Sequence, residues 1–478
     1  MAAQIEIFTT TALGDNTYLL AVGQDAALID PQRDAWRFLA AAQSRGLTVR
    51  FVLETHLHND YVSGALEVQA ATSAEVVAPA GGRYRFPYRA MAEGDELDLG
   101  GVVLRAIATP GHTPEHLSYL LIESGRPMAV FTGGSLIVGS AGRTDLSGEG
   151  RTEELTRAQF HSLRRLADLP DQTTVLPTHG AGSFCAATTP SKERTSSVGE
   201  QRRTNPALHA PDEESFLRGQ LSGLLRYPAY YQHMALVNRV GPSVLGGLPD
   251  LPPLSPPTVE HLAKSGAWVV DARDRWSFAS AHLPESVNVE LGEAFARFVG
   301  AILPFGASIV LVLPEPVHHA GREALTQLLR VGYERVEGYL AGGIEAWRST
   351  GRAARSYPVT DVDDLRRARA SSERPLVLDV RQPQEWTEGV IPGSVQLFVG
   401  DLPGRLEELP KHQEVWTICA SGYRAAIAAS LVARAGIQVR LVAWDGVARW
   451  LTEDARGRRE TSSLLTESRV PIAVTIAK

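Results

Sequence analysis

A chain of 478 residues, 44% hydrophobic and 21% charged, has the composition of a folded globular protein, and at roughly 100–200 residues per domain its length implies about three domains. A net charge of −7 with scattered arginines excludes a basic nucleic-acid surface, and no apolar run reaches the roughly 18 residues a membrane span needs. Neither a nucleic-acid nor a membrane partner is therefore expected. The start, Met1-Ala2-Ala3-Gln4-Ile5-Glu6, lacks a basic region ahead of an apolar core, so no export signal and a cytoplasmic location are expected. The two cysteines, Cys185 and Cys419, fall in different expected domains, which favours two free thiols over a disulfide.

In chain order, strands are predicted over 16–22 and 26–31, a helix over 35–45 stopped by Gly46, and a buried strand over 49–53. That strand delivers Glu54-Thr55-His56-Leu57-His58-Asn59-Asp60-Tyr61-Val62-Ser63-Gly64, and a helix follows over 65–72. Alternation throws His56, His58 and Asp60 to one side, where they read as a metal shell. The strand 102–107 leads to Thr109-Pro110-Gly111-His112-Thr113-Pro114, whose prolines deny a helix and fix a rigid turn. A strand over 128–132 leads to Gly133-Gly134, then to Gly142-Arg143-Thr144-Asp145. A further strand ends at Thr178-His179-Gly180, with Cys185 shortly after it. Histidines thus follow three predicted strands, as a shared site in a layered αβ fold requires.

Taken together and in this order, His56-x-His58-x-Asp60, Pro-Gly-His112-Thr-Pro, Gly-Arg143-Thr-Asp145 and His179-Gly resemble the metallo-β-lactamase superfamily over about residues 1–245. Within it they are similar to the persulfide dioxygenases, with glyoxalase II as a close relative, and the segment from Gly199 to Pro206 resembles their C-terminal helical region. The resemblance implies an αββα fold. For the dioxygenases it also implies one non-haem iron(II) held by two histidines and an aspartate, with positions left open for oxygen and the persulfide. Carried over by motif, the iron histidines are His56 and His112. Two departures stand out: Gly134 replaces the aspartate of the family's Thr-Gly-Asp, and Tyr61 replaces a histidine that serves a second metal. Both argue against a dinuclear zinc hydrolase. They leave one metal with His56, His58 and His112 available and a carboxylate from Asp145 or, as the alternative, Asp60. Arg143 is expected near the thiol-carrier end of the substrate, holding a carboxylate bidentately. His179 and a substrate-facing Cys185 are further candidates.

Five prolines between 249 and 257 mark the domain boundary. A repeat follows. Trp268-Val269-Val270-Asp271-Ala272-Arg273 parallels Leu376-Val377-Leu378-Asp379-Val380-Arg381, and Pro284 and Pro392 lie equally far beyond the two aspartates. Strands alternating with helices imply two small α/β domains with parallel sheets. The expected domains are 1–247, 258–352 and 358–456, with a tail over 457–478. In the second copy a strand over 415–418 runs into Cys419-Ala420-Ser421-Gly422-Tyr423-Arg424 and then a helix over 425–435. Loop amides, the helix dipole and Arg424 are expected to stabilise a nucleophilic thiolate there.

With Asp379-x-Arg381, Glu385-Trp386 and Gly389-x-Ile391-Pro392-Gly393, this loop resembles the rhodanese sulfurtransferases. The resemblance implies that Cys419 carries sulfane sulfur as a persulfide, with Arg424 catalytic and Ser421, Gly422 and Tyr423 binding substrate. The first copy, with Pro314-Glu315-Pro316-Val317-His318-His319 at that place, has no cysteine and resembles an inactive unit.

The combined expectation is an iron persulfide dioxygenase and sulfurtransferase in one chain. It acts on a low-molecular-weight thiol persulfide with thiosulfate or sulfite, carries one Fe(II) per chain (Zn as the alternative), and forms a homo-oligomer. A zinc thioester hydrolase of glyoxalase II type and a metal-free scaffold serving the Cys419 sulfurtransferase are the alternatives.

Overall fold

The computed structural model describes residues 2–371 and 374–452, so the expected tail over 457–478 lies outside the described residues. The first half is built on two six-stranded sheets packed face to face. One runs in the order Gln4–Thr10, Asp15–Val22, Asp25–Ile29, Thr48–Leu53, Glu75–Pro79, Arg89–Met91. The other runs Ser196–Ser197, Thr174–Pro177, Arg126–Gly133, Leu117–Glu123, Val102–Ala108, Glu96–Leu99. Strand Asp15–Val22 is buried along its whole length because both its faces are covered. Tyr18, Leu20 and Val22 point inward to Phe131 and Leu176 of the other sheet. Leu19 points outward to Phe38, Ala65 and Val68 on the helices Trp36–Ser44 and Ala65–Thr72. Opposite, the helix Thr152–Ala167 lays Phe160, Leu163 and Leu166 on Val130 and Val175. Its acidic first turn and basic last turn match the helix dipole. The result is the expected αββα sandwich, with strand ends Leu53, Gly133 and Pro177 feeding loops at one edge.

Contacts divide the chain into two compact units. The first runs to Trp268 and resumes over Leu291–Ala341; the second takes Val269–Glu290 and the described residues from Gly342 onward. The cysteine-free copy contributes residues to both units. In the first unit it supplies parallel strands Pro253–Leu254, Val336–Leu340 and Ile309–Val312 and the helix Val317–Arg330. That part is anchored to the sandwich: the Val62 amide donates to Arg330 O at 2.7 Å, the Arg330 guanidinium holds Asp34, and Tyr230 N donates to Gly300 O at 3.2 Å. In the second unit its Asn288 amide donates to Ser430 Oγ at 2.9 Å. The cysteine-bearing copy is an all-parallel sheet in the order Val359–Thr360, Val439–Val442, Val415–Ile418, Leu376–Asp379, Val395–Gln396. Among the described residues no helix is long and apolar enough to cross a membrane.

Gly14 shows how closely two site loops approach. It sits at φ +79°, and a Cβ on it would lie 2.2 Å from Ser183 N. Gly14→Ala combines a left-handed backbone with a backbone clash, and is expected to cost about 2 kcal/mol or more. A lowered midpoint in thermal or urea unfolding is the measurement.

Candidate functional site

The sandwich edge gathers five buried histidines and four buried carboxylates. Asp30 ends its strand at φ +52°, a left-handed conformation that aspartate tolerates. Its carboxylate accepts Thr55 N and Thr55 Oγ1, both at 2.7 Å, and Thr178 Oγ1. It also lies 3.2 Å from His58 Nε2, which Glu54 approaches at 3.1 Å. Burial opposes charge on His58, yet these two carboxylates hold its imidazole well above the usual histidine range, so a cation at its Nδ1 would take the place of a proton there. Tyr61 stacks on that ring at 4.3 Å, and its hydroxyl stands 3.0 Å from the same Nε2.

The other rings are arranged differently. The Thr55 hydroxyl gives its proton to Asp30, so His56 Nδ1–H donates to Thr55 Oγ1 at 2.8 Å. His112 Nδ1–H donates to Arg143 O at 2.7 Å, and His179 Nδ1–H donates to Asp15 Oδ1 at 2.8 Å. One ring nitrogen from each of His56, His112 and His179 lies within 4.8 Å of the other two, and the Nε2 atoms of His56 and His179 are 3.3 Å apart. Burial, helped by the neighbouring histidines, keeps these three rings below the usual range and therefore neutral. A second close group joins His58, Asp60 and His179. Burial raises both Asp15 and Asp60 to about 7.

His112 Nε2 and His58 Nδ1 are buried without a hydrogen-bond partner, and Asp60 is buried with His179 Nδ1 3.3 Å from its Oδ2. Each such atom costs roughly 1–3 kcal/mol unless something fills its lone pair. His179 belongs both to the three-histidine group and to the group with His58 and Asp60, which together fit a divalent cation, and a nitrogen-rich set with a few oxygens suits iron or zinc.

Three expected site residues, Asp145, Arg143 and Cys185, are placed otherwise than expected. Both oxygens of Asp145 are held by Arg143, at 2.6 and 2.7 Å, so it is not the missing metal carboxylate. Arg143 is itself only 1% exposed, and it also donates to Phe184 O and Leu225 O and lies 4.6 Å from the Tyr227 ring centre. A buried guanidinium needs partners inside the protein, and these leave it no free fork for a substrate carboxylate. Cys185 is fully buried; burial first, then Asp60 and Asp15, pushes its thiol well up, and its carbonyl accepts the Arg143 amide. A free face toward substrate is absent.

Several contributors escaped the sequence reading. His116 stacks on His56 at 4.9 Å and accepts the Gly134 amide at 2.9 Å, so it props the site. Its place just past Pro114 was the available signal. Asp15, Asp30 and Glu54 carry no local motif beyond a carboxylate at a strand end.

In the second unit the strand Val415–Ile418 delivers Cys419 into a buried position, where Sγ accepts the Gly422 amide at 3.1 Å. Gly422, at φ +87°, caps the helix Tyr423–Arg434; a Cβ on it would meet Ala443 O at 2.3 Å. Arg424 is held by both oxygens of Glu385, with Nη2 to Oε1 at 2.9 Å. It buttresses the loop with its charge shared. Asp379 and Arg381 form a buried forked pair, and Asp271 and Arg273 repeat it in the first copy. The first copy also supplies Arg275, which the sequence did not single out. Glu290 grips it at 2.6 and 2.8 Å, and its Nη1 donates to Ser421 O at 2.8 Å. Tyr423 OH donates to Glu290 O at 3.0 Å. The Cys419 loop is thus pinned through its backbone by the cysteine-free copy.

An αββα sandwich with a buried histidine–aspartate metal site at its edge, followed by paired α/β domains, defines the class. Residues 10–179 match the metallo-beta-lactamase superfamily, and residues 255–350 and 361–453 match the rhodanese-like domain. Hydroxyacylglutathione hydrolase of Rhodospirillum rubrum is 38% identical over 181 residues, which are 37% of this chain and 66% of that protein's length. The enzyme of the same name from Pseudomonas entomophila is 30% identical over 234 residues, covering 44% and 87%. A crystal structure of a metallo-beta-lactamase from Staphylococcus aureus matches 71% of this chain and 99% of its own, at 26% identity and a TM-score of 0.64. The chain belongs to the metallo-beta-lactamase superfamily, and it carries two rhodanese-like domains behind that fold. Both families are families of enzymes.

Arg275→Ala removes a charged donor from the Ser421 carbonyl, a bond worth about 1.5–3 kcal/mol. Amide protection across residues 419–424 is expected to fall about ten-fold or more by hydrogen-exchange mass spectrometry, with residues 48–64 unchanged.

Proposed function

We propose that this chain is a persulfide dioxygenase and sulfurtransferase. It oxidises the persulfide of a low-molecular-weight thiol to sulfite in its first domain and moves sulfane sulfur through Cys419. The observation that carries this reading is the pairing, in one chain, of a buried histidine-rich metal site lacking the residues of a second metal (Tyr61 and Gly134) with a cysteine whose sulfur accepts a loop amide. A single-metal site suits oxygen chemistry better than two-metal hydrolysis, and a sulfur carrier suits a sulfur substrate.

In the first domain a persulfide, oxygen and water become thiol and sulfite. Iron(II), when bound, supplies the oxygen activation; His56, His58, His112, Asp60 and His179 are the residues available to hold it. Burial of the cluster excludes bulk water, and Asp15 and Asp60, near 7, hold a proton close to His179.

In the second unit, Cys419 attacks the outer sulfur of thiosulfate. The S–S bond breaks, and its electron pair leaves with sulfite. The outer sulfur of the cysteine persulfide is then taken by a thiol, which becomes a persulfide as the Cys419 thiolate is released. The Gly422 amide holds the developing charge on Sγ, and Arg275, Arg424 and Glu385 keep the loop in place. Each half makes what the other uses.

A second reading is favoured by the relatives named hydroxyacylglutathione hydrolase: a zinc enzyme cleaving a glutathione thioester. Protein purified without oxygen separates the two. Bound iron with oxygen uptake on glutathione persulfide supports the dioxygenase; stoichiometric zinc with hydrolysis of S-lactoylglutathione supports the hydrolase. Cys419→Ser is expected to lower thiosulfate-to-thiol transfer roughly a thousand-fold or more while oxygen uptake persists. Chelation of the metal is expected to do the reverse. Absence of both iron and oxygen uptake would overturn the dioxygenase assignment.

A further inference from the structure

The superfamily pattern asks for a carboxylate after Thr132-Gly133, and this chain has Gly134 there. We propose that His179 takes over that role, so that the metal is held by the Nε2 atoms of His56, His112 and His179. The inference rests on the metal reading above and concerns which side chains carry it.

Three observations support it. First, the Nδ1 of each ring is already bound, to Thr55 Oγ1, Arg143 O and Asp15 Oδ1 respectively. A hydrogen bond donated from Nδ1 fixes the tautomer and leaves the lone pair on Nε2, the outer-sphere arrangement that metal-binding histidines use. The Nε2 of His112 has no other partner, and those of His56 and His179 face each other at 3.3 Å; with both Nδ1 atoms donating, each of these Nε2 atoms presents a lone pair. Two lone pairs so close repel unless a cation draws on both.

Second, the vacated position is closed to a carboxylate. A Cβ on Gly134 would lie 2.1 Å from His112 Cδ2 and 2.6 Å from its Nε2. On the neighbouring loop, a Cβ on Gly142 would come within 2.9 Å of the same ring. The His112 imidazole is seated between two glycines and fills the space an aspartate at 134 would need.

Third, the carboxylates other than Asp60 are committed elsewhere, and Asp60 meets His179 from its Nδ1 side. Asp145 is spent on Arg143, and Asp30 and Glu54 face His58. Asp15 and Asp60 lie on the Nδ1 side of His179, at 2.8 and 3.3 Å, behind the ring. They polarise the histidine and do not replace it. His58 Nδ1 remains as a further unpartnered nitrogen beside the set. Three neutral donors leave the double charge of the ion uncompensated by any directly bound anion, which favours an anionic sulfur ligand in the open positions.

The test is metal binding, read independently of turnover. Zinc(II) and iron(II) affinities are measured by competition with a chelator for the wild-type full chain and for His56→Ala, His112→Ala and His179→Ala. All three variants are expected to weaken binding by about a hundred-fold or more, since even outer-sphere changes cost about 10–100-fold. Gly134→Asp, placed in the His179→Ala background, is expected to restore nothing. Pulsed EPR of the copper(II)-loaded His58→Ala variant is expected to count three coupled imidazoles, a readout that stands if His179→Ala misfolds. Unchanged affinity in His179→Ala, rescue by Gly134→Asp, or a count of two imidazoles would each overturn the assignment while leaving a metal enzyme in place. A wild type that binds neither metal would overturn the metal reading with it.

Discussion

The carboxylate of Asp30 is the interaction on which the first domain's chemistry depends. From one strand end it takes the Thr55 amide and hydroxyl, the Thr178 hydroxyl and the His58 ring. Thr55 belongs to the loop leaving Thr48–Leu53, and Thr178 to the loop leaving Thr174–Pro177, which lie in opposite sheets. One buried anion therefore joins the sheets where the histidines converge. Burial raises the energy of such a charge, and the donors that offset it are the residues next to His56 and His179. Holding the anion and aiming the rings are one arrangement. Thr55 shows this best, passing its proton to Asp30 and using its lone pair to fix the His56 tautomer.

The same economy recurs around the cluster. His112 is aimed by the backbone carbonyl of Arg143, and Arg143 is buried because Asp145 and two further carbonyls neutralise and bind it. The Gly-Arg-Thr-Asp stretch thus acts through its main chain. Its side chains lock the loop; its carbonyl positions the histidine. In the second unit Ser421 does likewise, since the contact that pins the cysteine loop is made by its carbonyl.

The sandwich and the parallel sheets were legible because their signals are periodic and local. The helix Ala65–Thr72 and the strand ends at residues 53 and 177 fall where the pattern puts them. His56, His58, His112 and His179 were found because histidine after a strand is a rare coincidence of type and place. The roles of Asp145 and Arg143 were not legible, because a motif shows that two residues are adjacent and not that they neutralise each other. Asp15, Asp30, His116 and Arg275 were missed for a related reason. Each acts on a residue distant in sequence, as with Asp15 on His179 and Arg275 on Ser421. Nothing in a single chain marks such a pair before folding brings it together.

The Val62 amide, one residue beyond Tyr61, is capped by the last carbonyl of the helix that ends at Arg330. A domain without a nucleophile thereby completes the backbone of a loop that belongs to another domain's reaction centre. The proline-rich stretch near residue 250 marks a change of composition inside one compact unit. An isolated 1–247 fragment would leave that amide to water and Asp34 with Arg37 as its remaining ion-pair partner at the foot of the histidine loop. Anyone wishing to transplant the metal domain into another scaffold would have to carry along part of a neighbour that has no chemistry of its own.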